Sequence, residues 1–286
     1  MKFEQQEQQA AAAFLAFFKD RFYGKIDPSE YALSYSGGKD SHLLYWILKE
    51  YLKEDKVTIV GVNTGFEHPE IRNRILKNCD VVLHPGMNRY DVKEKYGIPC
   101  FSKKQDDYIY RYQHGSRSEN TMKVIMGQNP MINLNMKART LLLDHRLHSI
   151  SHKCCLKTKE EPLMRWQKSN NKKAIIGVRR AESIGRKAAY HTCMKQNGDF
   201  TPLYDWTDAM VDLIYRVYDI EVPKCYQYLS RTGCAGCPYG RNTETELAML
   251  PRLQRLNTIK YFRESYDVLG VDYKNIQSLI GYEEYI

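Results

Sequence analysis

Two groups of residues in this 286-residue chain have the types and spacing to do chemistry. The first is Ser36-Gly37-Gly38-Lys39-Asp40-Ser41. It follows Tyr31–Tyr35, which alternates as a strand does. It precedes His42–Lys53, where Leu43, Leu44, Ile47, Leu48 and Tyr51 share a helical face. Glycine lets a backbone take unusual dihedrals and approach a ligand closely. The amides of such a turn, with those of the first helical turn, make an anion site at the positive end of the helix dipole. Lys39 adds a mobile cation, and Ser41 caps the helix or donates to a phosphate oxygen. A Gly-Gly pair alone is an ordinary turn; the whole run between a strand and a helix predicts phosphate binding. The pattern is not the Walker loop, whose glycines stand further apart before a Lys-Ser/Thr pair.

The second group is cysteines. Cys154 and Cys155 are adjacent, and Cys234-Ala235-Gly236-Cys237 is a C-x-x-C with Gly233 before its first Cys and Gly236 before its second. Such a turn points two thiolates at one ion. Four soft thiolates suit tetrahedral zinc or an iron–sulfur cluster. Neighbouring cysteines diverge, which hinders convergence on one zinc, whereas a cluster offers them separate irons. Adjacency therefore favours iron–sulfur over Zn2+, with four unliganded thiols as the plain alternative.

The elements around these residues follow a strand–helix alternation. Val57–Val62 reads as a buried strand and Thr64-Gly65-Phe66-Glu67-His68-Pro69 as a turn into a helix reaching about Asn78. Asp80–Leu83 reads as a short third strand and Lys173–Val178 as the next. This interval predicts βαβ units: an α/β fold with a parallel twisted sheet and helices on both faces. In such sheets ligands bind at the carboxyl ends of the strands, where Ser36–Ser41 and Asn63–Glu67 fall. Asn63 and Thr64 are then expected to line a nucleoside pocket. Glu67 and His68 read equally as acid–base groups or as caps of the next helix. Phe14, Phe17, Phe18 and Phe22 recur at helical spacing, so the chain opens with an amphipathic helix. Residues 103–114, 132–150 and Trp206–Asp219 read as helices, the last capped by Thr207; His84–Phe101 and Gly115–Asn129 read as loops. The stretch from Thr243 reads as helical and polar. The expected division is 1–30 (helix), 31–240 (nucleotide-binding domain) and 241–286 (helical C-terminal extension).

Lys plus Arg exceed Asp plus Glu by 43 to 34, a net charge of +9. That suits a polyanionic partner, or a nucleotide pocket within a solvated basic surface. The 22 tyrosines could stack on bases or pack a core. Ala10–Phe18 is apolar but short, with Glu4 and Glu7 before it, so no secretion signal is read. No stretch is long enough to span a membrane. A cytoplasmic protein is expected, in which eight cysteines do not form a disulfide framework.

The loop at 36–41 resembles that of the PP-loop ATP pyrophosphatases, the adenine nucleotide α-hydrolases. Lys153-Cys154-Cys155, Lys159 and Pro162-Leu163 resemble the Cys-Cys segment of the sulfonucleotide (APS/PAPS) reductases, and the 78 residues between Cys155 and Cys234 are similar to that family's spacing. The resemblance continues through Gly177-Val178-Arg179-Arg180-Ala181-Glu182-Ser183 with Arg186, and through Pro202-Leu203 with Trp206-Thr207. It covers about residues 31–240. It implies that Cys154, Cys155, Cys234 and Cys237 hold a 4Fe–4S cluster, and that Arg179, Arg180 and Arg186 clamp an anionic group. It also implies that Ser36, Gly37, Gly38, Lys39, Asp40 and Ser41 hold ATP phosphates, with Asp40 helping to place Mg2+.

Two departures separate the chain from the reductases. Their loop is usually degenerate, whereas this one is complete with Lys39 and Asp40. Their nucleophilic Cys lies on a C-terminal tail, whereas Ile280–Ile286 carries no thiol and the last Cys is Cys237. Cys225, Cys193 and Cys100 are the substitutes the sequence offers. The first expectation is thus ATP α,β-hydrolysis coupled to sulfur transfer onto a small acceptor, tRNA or DNA, with a cysteine desulfurase or other sulfur or electron donor as partner. The second is an APS/PAPS reductase, and the third a non-catalytic nucleotide-sensing or nucleic-acid-binding module.

Overall fold

The computed structural model describes residues 2–182, 186–187, 190–240 and 243–274. Ser183 and the tail segment 280–286 lie outside the described residues. In chain order the elements begin with α1 (Lys2–Lys25), β1 (Tyr31–Tyr35), α2 (Lys39–Trp46), β2 (Thr58–Val62), α3 (Pro69–Asn78) and β3 (Val81–Leu83). Next come α4 (Arg89–Tyr96), α5 (Lys103–Gln113), α6 (Glu119–Ile125), α7 (Met136–Leu143), α8 (Lys153–Cys155), α9 (Glu161–Ser169) and β4 (Lys173–Ile175). The last are α10 (Asp208–Val217), α11 (Thr243–Ala248) and α12 (Arg252–Leu269). They form two compact units that interleave along the chain, whereas the sequence divides it linearly. One unit holds 1–63, 69–84 and 162–227; the other holds 64–68, 85–161 and 228–286.

The first unit is α/β. Its four strands are all parallel, in the order β3-β2-β1-β4. The central strands β1 and β2 are buried at all but one position each, as expected of parallel strands covered on both faces. From β1 the chain steps outward through β2 to β3, then returns to place β4 on the other side of β1. The carboxyl ends of β1 and β4 thus flank the point where strand order reverses, the place where such sheets leave a crevice. Helix α1 belongs to this core: Leu15, Phe18 and Phe22 are buried, Phe18 packs edge-on to Trp206, and Arg21 grips the Asp205 carboxylate with both terminal nitrogens at 2.7 and 2.6 Å. Phe17 leaves the expected aromatic stripe. It is 54% exposed and lies under the Arg21 guanidinium.

The second unit is helical. Ile98, Ala235, Leu247, Leu250, Tyr261, Phe262 and Tyr266 form one of its cores; Cys100, Ile109, Val124, Leu134, Leu142 and Ile150 are in another. The stretch from Thr243 is helical as expected. It is no polar appendage, because α12 buries Tyr261, Phe262 and Tyr266 within the unit. Two expected loops hold helices. In α4 the Asn88 side chain accepts from Asp91 N at 3.0 Å, and in α6 Ser118 is the capping residue. Both helices are too short for periodicity to register, and their caps mark them instead. The helix read over 132–150 narrows to α7, beyond which His145 takes a positive φ of 58°. No helix among the described residues is long and apolar enough to cross a membrane.

In the second unit, His148 Nε2 lies 3.2 Å from Ser265 Oγ. Burial pushes its pKa down to about 4, with Glu264 opposing and Lys93 assisting. The folded state therefore favours the neutral ring. Its contribution is complete above pH ~6.5 and is lost as pH falls toward 4, at no more than roughly 1.4 kcal/mol per pH unit. Thermal unfolding between pH 7 and 4 is expected to show a shallower loss of Tm in His148→Gln than in the wild type. Identical slopes would remove His148 as a source of the acid sensitivity.

Candidate functional site

The first unit carries the loop. Gly37 has φ +74°, and a Cβ there would stand 2.9 Å from both the carbonyl oxygen and a methyl of Ile71 in α3. Only glycine lets the turn press against α3 in this way. Gly38 caps α2 with extended backbone and no side-chain cap bond of its own. Ser41 Oγ donates to Gly38 O at 3.0 Å and lies 3.0 Å from Ser36 Oγ, which closes the loop on itself. Just past β4, a Cβ on Gly177 would stand 3.0 Å from Asp40 C and Ser41 N. The loop and the Gly177–Arg180 turn therefore meet where strand order reverses.

The loop's charges are paired. Lys39 Nζ bonds Asp212 on α10 and lies 5.3 Å from the Tyr215 ring centroid. Tyr226 Oη accepts from Lys39 N at 2.7 Å, and Tyr215 Oη donates to Lys39 O at 2.7 Å. Arg179 donates from Nε to Asp40 Oδ1 at 2.8 Å, while its Nη1 stands 2.8 Å from Asp208. Burial pushes the Asp40 carboxyl up, and Arg179 opposes that. Arg186 pairs with Glu182, which also accepts from Arg179 N at 2.9 Å. Arg180 is half-buried, with its backbone N–H donated to Tyr204 O. Asn63 directly follows β2 in this unit, whereas Thr64 belongs to the other. The residues missed by sequence reasoning are Asp208, Asp212 and Tyr215. Their spacing on one face of a helix was the signal that could have found them.

The second unit carries the thiols. Cys154 and Cys155 lie on α8, directly before a π-helical turn at Leu156–Glu160, a distortion often found at functional sites. Cys234 and Cys237 lie on a turn whose Gly236 has φ +68°. A Cβ there would meet Thr258 at 2.6 Å and Leu247 at 2.9 Å. Ala235 N donates to Phe66 O at 2.6 Å, and Gly236 N to Glu246 Oε2 at 3.0 Å. Glu246 Oε1 meets His68 Nε2 at 2.7 Å. Every pair among the four thiols is close enough for each sulfur's charge to bear on the others. As arranged, no group of three or more His, Cys, Asp or Glu among the described residues could hold a single metal ion.

A buried arginine and a half-buried lysine lie beside these sulfurs. Arg89 Nη2 donates to Cys234 Sγ at 3.3 Å and to Thr64 Oγ1 at 2.7 Å, with its guanidinium 3.4 Å from the Phe66 ring centroid. Thr64 in turn donates to Glu67 Oε1 at 2.6 Å, and Lys159 Nζ stands 3.6 Å from that oxygen. Burial pushes the Cys234 thiol up, but Lys159 and Arg89 outweigh it and hold the thiol below its ordinary value. Burial pushes Cys154 up to about 11, and burial with the charge of Cys234 pushes Cys237 well up. Glu67 and His68 are 3% and 1% exposed, so both are interior groups of this unit. Sequence reasoning missed Arg89, a lone arginine with no motif around it. Of the substitute thiols, Cys100 and Cys225 are buried and pushed up by burial, Cys225 to about 12, which disarms them as nucleophiles. Cys193 is half-buried.

Residues 105–239 match the family described as the phosphoadenosine phosphosulfate reductase domain. Over that span, just under half of the 286 residues, the chain is similar to a PAPS reductase domain. The domain is a member of the PP-loop adenine nucleotide α-hydrolase-like superfamily, which binds adenine nucleotides. The matched span includes all four cysteines and Arg179, Arg180 and Arg186, while the 36–41 loop precedes it. No curated protein sequence matches the chain.

Gly236→Ala combines left-handed strain with overpacking, at a cost of about 2–5 kcal/mol. Gly233, with nothing within 4 Å of its Cβ position, is the control. Denaturant titration is expected to show a large fall in stability for Gly236→Ala and little change for Gly233→Ala. Equal midpoints would show that the turn tolerates a side chain.

Proposed function

We propose that the chain is a nucleotide-binding enzyme that splits ATP between its α and β phosphates and couples this to sulfur transfer. The observation that carries the reading is the complete 36–41 loop at the strand-order reversal, closed by Gly37 against Ile71. Backbone amides of Gly37, Gly38 and the start of α2, with Lys39, would hold the β and γ phosphates. Asn63, directly after β2, would line the nucleoside pocket. Asp40, oriented by Arg179, is the carboxylate that would meet Mg2+; when bound, that ion offsets phosphate charge. An acceptor hydroxyl attacks the α-phosphorus, its proton passes to solvent, and the bond to the β-phosphate oxygen breaks with pyrophosphate leaving. Catalysis is chiefly positioning and charge stabilisation. Arg180 and Arg186 would bind a further anion, such as the acceptor's phosphate. The net charge of +9 supports a tRNA or DNA acceptor, with a small molecule as the alternative. A cysteine desulfurase or comparable donor would supply the sulfur.

Cys154, Cys155, Cys234 and Cys237 suit a 4Fe–4S cluster. Their donor set is right, their sulfurs sense one another in every pairing, Arg89 Nη2 donates to Cys234 Sγ, and Arg89 Nε and Nη1 are buried without acceptors among the described residues. When bound, the cluster supplies electrons, holds sulfur or stabilises the unit. An anaerobic preparation is expected to contain about four irons per chain; one zinc without iron would replace the cluster with Zn2+.

The domain match across all four cysteines favours a second reading, sulfite-forming reduction of APS or PAPS. Incubation with labelled ATP and, separately, labelled PAPS separates the two. Pyrophosphate from ATP without sulfite from PAPS supports the first, and sulfite supports the second. Lys39→Ala is expected to slow pyrophosphate release by about 10²–10³-fold. Release that is unaffected by this change would overturn the loop's role, and neither product would leave a nucleotide-sensing module.

A further inference from the structure

Arg89 is 5% exposed, and its surroundings leave it incomplete. Nη2 is shared between Cys234 Sγ and Thr64 Oγ1, at 3.3 and 2.7 Å. Nε and Nη1 are buried and find no acceptor among the described residues. The ring of Phe66 lies 3.4 Å from the guanidinium carbon, and that of Tyr261 lies 5.8 Å away. Stacking fixes the plane of the fork, and Thr64, itself tied to Glu67, fixes its rotation. A guanidinium cannot shed its proton to escape burial, so two idle N–H groups in a dry interior call for an anionic acceptor. The side chain's one sulfur contact shows where such an acceptor would sit.

We propose that Arg89 is a positioning residue for the iron–sulfur cluster, donating its idle N–H groups to cluster sulfur and holding a fixed positive charge beside it. The inference rests on the cluster reading of the four cysteines. Hydrogen bonds to cluster sulfur and nearby positive charge stabilise the more negative, reduced state, so Arg89 raises the reduction potential. It also ties cluster retention to the packing of Phe66 and Thr64. Lysine preserves the charge but loses the fork.

The test uses anaerobically purified full-length protein, wild type, Arg89→Lys and Arg89→Met. Iron per chain, release of iron to a chelator, the EPR spectrum of the reduced cluster and its potential are measured. Arg89→Met is expected to lower the potential and to release iron about tenfold faster. Arg89→Lys is expected to keep the potential near the wild-type value while changing the EPR spectrum and speeding release. Variants that match the wild type in potential, spectrum and release overturn the assignment. If Arg89→Met does not fold, Arg89→Lys decides alone: an unchanged spectrum and release rate overturn it. A wild type without iron removes the cluster reading, and Arg89's role with it. An iron-bearing wild type with indifferent variants removes only the role of Arg89.

Discussion

A missing Cβ holds each chemical centre in place. At Gly37 the space a side chain would need is taken by Ile71, and at Gly236 by Thr258, Leu247 and the Tyr266 hydroxyl. Both residues also have positive φ, so two independent penalties oppose any other residue. The loop is therefore seated by its backbone at Gly37, while Tyr226 and Ser41 take the amides of Lys39 and Ser36. The C-x-x-C turn, for the same reason, tucks between α11 and α12 and delivers two sulfurs from one short stretch. Helix packing in each unit fixes the turn, and the turn fixes the chemistry.

Charge is handled differently at the two centres. Around the thiols, Arg89 and Glu67 are buried, with Lys159 a third exposed. Burying ions costs several kcal/mol each even after relaxation, so these groups survive only as a connected chain from Cys234 through Arg89 and Thr64 to Glu67 and Lys159. Net positive charge facing cysteine sulfur fits a centre that becomes anionic, since thiolates and sulfide repay it. Along that connected path Arg89 and Lys159 outnumber Glu67, while the other buried carboxylates of the unit, Asp106 and Glu246, bond backbone amides.

Much of this architecture is legible in the sequence. The strands β1 and β2 are apolar and flanked by helical periodicity, and the loop and cysteine spacings stand out because few alternatives satisfy all their residues at once. The helices α4 and α6 were not legible, because short capped helices carry no full period. The role of α12 was hidden by its tyrosines: Tyr261 and Tyr266 look polar, yet bury their rings and direct their hydroxyls at Cys154 Sγ and Gly236 O. Arg89 was illegible for a deeper reason. Its significance lies in what Cys234, 145 positions away, brings to it, and no local pattern encodes that meeting.

The loop's own ion pairs are unequal, and the inequality decides what moves. Lys39 and Asp212 are 29% and 53% exposed, so water screens them and their pair is worth no more than about 1 kcal/mol. Arg179 and Asp40 are 7% and 15% exposed, and breaking them would strand a buried charge. An incoming polyphosphate can therefore take Lys39 from Asp212 at little cost. It cannot readily take Arg179 from Asp40. On the proposed reading Lys39 would be the arm that follows the ligand, while the Arg179–Asp40 pair ties the turn after β4 to the start of α2. If the loop takes a nucleotide as proposed, it would meet it with one exposed cation on a buried, paired frame, which suits a reaction whose catalysis is mostly placement.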